Sequence, residues 1–495
     1  MNDTIFSRDL EWEATDYPLL IENPISKNGY YRIPPNSRIK VWRNNHYKLA
    51  GKIEGTTTDH KAFDYREPGR DLKDGHVIKG DTFVTERNKM DQSYQFFDCY
   101  VANTNYQLVR DGEFTTAFDG ILNFKSFAET SSSQDFFKIN RWYLSGKINA
   151  VFPRSTERTY QNSHTKFRHG IDIQTEKLDH NRARGFSRDF FLIDSGGVKC
   201  IVQKAHRQFL PDWANGICIE FRKDFGIPDD ETQIAVAELI GFILGTQLLD
   251  IGFTEYNDKD QVIGKFANDP WGDNVVSKCG KVALPPVRFP KITETDKVEI
   301  VINEVLPTFL KLRKPLGLSD LLWKYWVARD LAIGTNLPIL SSALENLAEQ
   351  YLKHNQLLKK FSDTEKDAYA TLIKDELSTL ETKLKDFPLK ESVMGKLRNP
   401  FQTGVTEKLR MFFSSLGFSF DKKSIENKAL RSRNIMTHGN IEVSDESIPQ
   451  TIKLTRAYET LFHRSLLKVI SYTGKYIDYS AYGHPERSLS ENMNE

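Results

Sequence analysis

Through residues 1–152 the apolar positions come in short aromatic and β-branched runs, such as Tyr47–Ile53, Tyr94–Val101 and Arg141–Phe152, separated by clusters of Gly, Asn and Asp. That pattern marks strands broken by turns, so the region reads as β-rich. Residues 153–295 read as a basic connector and then a mixed α/β segment, either part of the same N-terminal unit or a unit of its own. Strand-like runs at Phe190–Asp194, Val198–Gln203 and Gly216–Phe221 lead into a helix beginning near Asp229. There Asp229 or Asp230 caps exposed N–H groups, and Pro228 stands just before. A hairpin follows, Leu248–Tyr256 and Gln261–Phe266, about a turn at 257–260.

From about residue 297 the period changes. Leu318–Ile333 and Leu337–Lys353 repeat apolar residues at three- and four-residue intervals on either side of Gly334-Thr335-Asn336. This is the spacing of one helix face. Asp363–Leu384, Thr403–Leu416, Lys423–His438 and Thr451–Tyr472 continue the series. The last places Leu454, Tyr458, Leu461, Phe462 and Val469 on one face, with Ser447 and Pro449 as start signals. The expected fold is α+β and multidomain: a β-rich N-terminal region, a mixed α/β middle and an all-α helical bundle over 296–478, with a flexible tail at 479–495.

Composition changes this picture little. At 495 residues the chain has room for several cores, and 39% hydrophobic with 12% aromatic residues supplies the apolar area to build them. The net charge of +1 gives no global field toward nucleic acid, so any RNA contact must come from a local patch. One candidate is the connector, which carries Arg154, Arg158, Lys166, Arg168, Lys177, Arg182, Arg184 and Arg188 among Glu157, Asp172, Glu176 and Asp179. It reads either as an arm that follows a nucleic-acid backbone or as a solvated linker. The most apolar stretch, Ile234–Phe253, is interrupted by Glu238, Gln247 and Asp250; it reads as a core helix and a strand rather than a membrane span. The first residues show no secretory signal, and Cys99, Cys200, Cys218 and Cys279 form no CxxC pair. These features point to a cytoplasmic protein with free buried thiols, no membrane partner and no zinc knuckle.

The chemistry concentrates in Arg431-Ser432-Arg433-Asn434-Ile435-Met436-Thr437-His438-Gly439. Asn434 and His438 stand four apart and share a helical face, while Arg433 sits roughly 140° around from His438 with a side chain long enough to swing back. Gly439 is a natural terminator, leaving His438 on the last turn, where the helix dipole favours a protonated imidazole. A guanidinium that matches two phosphate oxygens, an amide and an imidazole that exchanges protons near neutral pH suit phosphodiester cleavage without a metal or other cofactor. Similar Arg-to-His spacings recur at Arg70/His76, Arg158/His164, Arg431/His438 and Arg456/His463, so spacing alone says little. Arg433 differs in being followed by Asn, four before His, late in a helical region.

On these residues the chain resembles the HEPN superfamily, whose motif is Arg, a polar residue and then His near a helix end in a small bundle. A second point of resemblance is Glu345 within Ala343-Leu344-Glu345-Asn346-Leu347. The order of a β-rich region before such a domain resembles the ApeA-type bacterial abortive-infection proteins. The resemblance covers about 300–478. It implies a metal-independent endoribonuclease that leaves 2′,3′-cyclic phosphate and 5′-hydroxyl ends, a toxin-like effector of anti-phage abortive infection. It also implies a homodimer with a composite site, RNA (tRNA among the candidates) as the substrate and a phage-derived trigger as a partner. By position, Arg433 holds the scissile phosphate, His438 is general base or acid, and Asn434 orients phosphate or imidazole. Glu345 then positions Arg433 or His438, or is an ordinary surface carboxylate. Lys422, Lys423, Lys428 and Arg431 add RNA-backbone contacts or form a solvated helix face. An alternative reading makes the domain a non-catalytic RNA-binding or dimerising module. A further one makes the β-rich region a ligand-binding gate.

Overall fold

The computed structural model describes residues 19–493 apart from 45, 59–79, 86–91, 112, 132–134, 162, 169–175, 179–184, 206–209, 260, 271, 273, 291–293, 359–362, 399–403, 422 and 438–446. The chain divides into two compact units, 1–285 with 289–307 and 286–288 with 308–495.

The first unit is built on antiparallel strands in two sheets that share one long strand, Gln92–Asp111. The end of that strand turns back on Glu113–Asn123, which pairs in turn with Leu49–Thr57, Ser37–Arg43 and Leu19–Ile21. Its beginning lies between Asp81–Thr85 and Ser126–Ser131. From Ser126–Ser131 the second sheet runs through Val262–Asn268, Leu249–Tyr256, Lys138–Ser145, Asn215–Arg222, Val198–Lys204 and Gly185–Ser195 to Arg154–Gln161, Ser163–Arg168 and Glu176–Leu178. Ser37–Arg43 alternates buried and exposed residues, as a strand with one face on a core must. The core includes Ile39, Val41, Ile53, Phe83, Phe96, Phe118, Phe127, Trp142 and Leu144. Each such aliphatic or aromatic side chain stabilises the fold by roughly 1.5–3 kcal/mol relative to its exposed state.

Lys138–Ser145 is buried along its whole length. Helix α1, Asp230–Leu244, is tied to it where Arg141 Nε donates to Gln233 Oε1 at 2.7 Å. Asp229 caps α1 by accepting from the Thr232 amide at 2.8 Å, and Gly245 ends it at φ 68°. A Cβ at Gly245 would run into the backbone of Leu284 and Pro285, so the position requires glycine twice over. A short helix, α2, covers Val275–Gly280. Helix α3, Lys297–Leu316, begins in the first unit. There Arg154 grips Glu299 through Nε at 2.8 Å and Nη2 at 2.6 Å, and the Leu192 amide donates to Glu299 Oε2 at 2.9 Å.

These pairings correct the expected mixed α/β middle. Residues 190–268 form no separate layer: Asn215–Arg222 and Leu249–Tyr256 flank Lys138–Ser145, and Val262–Asn268 pairs with Ser126–Ser131. The basic stretch 153–188 is also strand where it is described. Alternation in a sequence identifies a strand but not its neighbour, and these neighbours are distant in the chain.

The second unit contains the rest of α3, then α4 (Leu318–Asp330), α5 (Leu337–His354), α6 (Asp363–Leu372), α7 (Lys374–Lys383), α8 (Lys390–Arg398), α9 (Val405–Ser415), α10 (Ile425–Thr437) and α11 (Ser447–Val469). Helix α5 is the hub, packed against α4, α9, α10 and α11. The expectation of an all-α C-terminal domain is overturned. Lys475–Ile477 pairs antiparallel with Glu486–Ser488, and the first of these strands packs on α11. The stretch expected as a flexible tail carries that second strand and buries Leu489 and Met493. Strands of three residues are too short to show a period.

Candidate active site

Helix α10 positions the motif. Ile425, Ala429 and Ser432 are buried and Lys428 and Arg431 exposed, the division expected of an amphipathic helix. Glu426, in the first turn, is also fully buried. Arg433 lies on α10, one turn after Ala429 and two after Glu426. Asn434 is one step further round. The described part of the helix runs to Thr437. His438 and Lys422 lie outside the described residues. Lys423 is exposed just ahead of α10.

Glu345 is half-buried on α5 among buried Leu344, Leu347 and Ala348. Because α10 packs on both α5 and α11, the helices carrying Arg433-Asn434 and Glu345 are direct neighbours. One turn on from Glu345, Glu349 is bound by Lys353 at 2.7 Å and by Lys408 of α9 at 3.0 Å, and these hydrogen bonds hold its carboxyl below the usual range. The α5 scaffold is thus tied to α9 beside the site.

The competing Arg456/His463 spacing has a different fate. His463 is fully buried in α11, with Nε2 2.7 Å from the Tyr325 hydroxyl of α4. Burial, then the charges of Arg329 and Arg456, push its pKa down to about 3, so the imidazole is neutral. Burial pushes the Tyr325 hydroxyl up to about 12. Arg456 itself pairs with Glu459 at 2.7 Å. This is a core network without access to a substrate. Of the other matches, Arg70/His76 lies outside the described residues, and Arg158/His164 stands on the strands Arg154–Gln161 and Ser163–Arg168.

The sequence reading missed the anchor of α10. Arg464 of α11 is completely buried, with its guanidinium carbon 4.1 Å from the Phe418 ring centre and 5.4 Å from that of Tyr476. Its Nε donates to the Leu489 carbonyl at 2.8 Å and its Nη1 stands 3.6 Å from Glu426. Glu426 Oε1 also accepts from the Met493 amide at 2.7 Å. An apolar-periodicity search passes over such a charge because it assumes charged positions face water.

Elsewhere, in the first unit, a cleft of about 500 Å³ is lined by Arg38, Glu54, Gln107, Phe118 and Asp119 among others. Among the described residues no three His, Cys, Asp or Glu side chains gather as a metal site. All four cysteines are buried and unbridged. No described helix is long and apolar enough to cross a membrane. Comparison of the chain with protein-family models, with curated proteins and with solved structures returns no match.

Proposed function

We propose that this chain is a metal-independent endoribonuclease that uses Arg433, Asn434 and His438. The observation that supports the reading is the packing of the two helices that carry the motif residues. Helix α10 carries Arg433 and Asn434, and the neighbouring helix α5, packed against it, carries Glu345. In this reading the RNA 2′-hydroxyl attacks the adjacent phosphorus as a neutral imidazole removes its proton. The bond to the 5′-oxygen breaks, that oxygen takes up a proton, and a 2′,3′-cyclic phosphate remains. His438 supplies the proton transfer. Arg433 stabilises the charge that develops on the phosphoryl oxygens. Asn434 orients the phosphate or the imidazole, and Glu345 positions Arg433. Exposed Lys423, Lys428 and Arg431 attract the RNA backbone.

The biological setting we propose is abortive infection in the bacterial cytoplasm, with two copies of the chain contributing one composite site and a phage-derived trigger releasing activity. The test is incubation with total tRNA and a mixed RNA pool in EDTA, native protein beside Arg433→Ala and His438→Ala. Cleavage by the native protein alone, leaving cyclic-phosphate ends, is the expected result. Equal cleavage by all three proteins sinks the assignment. If purified protein is inactive, infected cells expressing native or His438→Ala protein decide: arrest by the native form alone sustains the reading, and identical growth removes it. Light scattering showing monomer alone, with and without RNA, removes the composite site.

A further inference from the structure

We propose that the cleft of the first unit lined by Arg38, Glu54, Ala117 and Asp119 binds a small zwitterion, a molecule with an ammonium group and a carboxylate a few carbon atoms apart. The inference goes beyond the nuclease reading and does not depend on it. It starts from the register. Arg38 of Ser37–Arg43 stands opposite Glu54 of Leu49–Thr57, and Glu54 stands opposite Asp119 of Glu113–Asn123. Asp119 in turn stands opposite Asn105 of the long strand, whose Nδ2 donates to Asp119 Oδ2 at 3.5 Å. In the next row Thr56, Ala117 and Gln107 stand side by side. Strand alternation puts both rows on one face of the sheet. The core lies on the other face, with Ile39, Ile53 and Phe118. Over the two rows lies the cleft of about 500 Å³, whose lining also includes Asn36, Thr56 and Gln107. That volume is within the range of small-molecule sites. The hollow exists because the methyl group of Ala117 is short between Thr56 and Gln107.

Three physical points identify the ligand. Glu54 and Asp119 are like charges directly opposite each other, with Cβ atoms about 4.5–5.5 Å apart, a placement that destabilises a sheet unless a cation lies between them. Both are half-buried, and partial removal from water strengthens their attraction for an ammonium group. Lys40 and Lys52 form the row on the other side of Glu54, but neither lines the cleft. Among the described residues Arg38, Glu54 and Asp119 make no ion pair. Arg38 stands one strand, about 4.8 Å, beyond Glu54, and its planar fork matches a carboxylate. An ammonium between Glu54 and Asp119 then lies roughly 7 Å from the Arg38 backbone, one and a half strand spacings. The long arginine side chain closes part of that gap, which sets the separation of the ligand's two charges. Finally, a dication meets repulsion from Arg38 and an anion meets repulsion from the two carboxylates. A molecule bearing both charges is matched at each end.

The experiment is isothermal titration calorimetry on the full chain. Glycine, 4-aminobutyrate and 6-aminohexanoate are the zwitterions, putrescine the dication and butyrate the anion. At least one zwitterion is expected to bind ~10-fold or more tightly than putrescine and butyrate. Glu54→Gln/Asp119→Asn should weaken that zwitterion by at least ~10-fold, the usual scale for lost charged hydrogen bonds. Arg38→Gln should weaken it too and narrow its advantage over putrescine. Ala117→Gln, which fills the hollow and keeps both charges, should abolish binding, while Lys52→Gln outside the cleft stays within about twofold. Circular dichroism and the urea midpoint verify that each variant is folded. Absence of binding by all three zwitterions at millimolar concentration overturns the inference. So does tighter binding of putrescine or of butyrate, or undiminished zwitterion binding in Ala117→Gln or in the double variant.

Discussion

Glu426 and Arg464 face each other across 3.6 Å with neither side chain exposed, joining the first turn of α10 to α11. Through Leu489 and Met493 the same pair holds the C-terminal segment against the helix that carries Arg433. Removing one partner strands a buried charge, which typically costs about 3–5 kcal/mol. Glu426→Ala is therefore expected to lower the stability of the second unit by that order. Glu426→Leu combined with Arg464→Met should lose less than the sum of the two single changes, with a coupling of roughly 1–3 kcal/mol. Urea denaturation of the four proteins checks this, and simple additivity would show that the pair does not act as one.

His463 makes stability depend on pH. Its burial lowers the folded-state pKa to about 3, whereas the unfolded chain binds that proton near pH 6.5. Between those values the unfolded state holds more protons, so stability is present above pH ~6.5 and falls as the solution becomes more acidic, by at most ~1.4 kcal/mol per pH unit. Native protein should thus unfold at lower urea at pH 5 than at pH 7, and His463→Gln should show a smaller difference. An identical pH dependence in both would mean that the imidazole is not held neutral.

The strands Arg154–Gln161 and Gly185–Ser195 are tied to α3 through Glu299. Its carboxylate takes two guanidinium hydrogen bonds from Arg154 and one from the Leu192 amide, all partly screened from water. Glu299→Gln removes the charge and part of the bidentate geometry, an effect of about 1–2 kcal/mol. Hydrogen exchange at the Leu192 amide should then quicken by ~10-fold, since 1.4 kcal/mol is a factor of ten in an equilibrium. Unaltered exchange would place the anchor elsewhere.

The residues around α10 should separate kinetically. His438→Gln is expected to lower kcat by roughly 10²–10⁴, the usual worth of a positioned acid or base. Lys428→Ala and Arg431→Ala, at exposed positions on α10, should raise KM for RNA and leave kcat nearly constant. A fall in kcat alone for either lysine or arginine variant would move it from RNA attraction into the reaction itself.

Much of the local structure was legible in the chain. The three-and-four spacing placed α5, α9 and α10 to within a few residues, and Asp229 marked the start of α1. That residues 433 and 434 fall within a helix was legible as well, because helical spacing is carried by adjacent residues. Its surroundings were not. Nothing in Lys138–Ser145 says that its neighbours are Asn215–Arg222 and Leu249–Tyr256, and nothing in α11 marks Arg464 and His463 as buried while Lys468 is exposed. Periodicity follows from the geometry of one element and is carried by its own residues. Strand partners and the burial of a charge are settled by which distant groups supply hydrogen bonds and ring faces, and those meet only when the chain has folded.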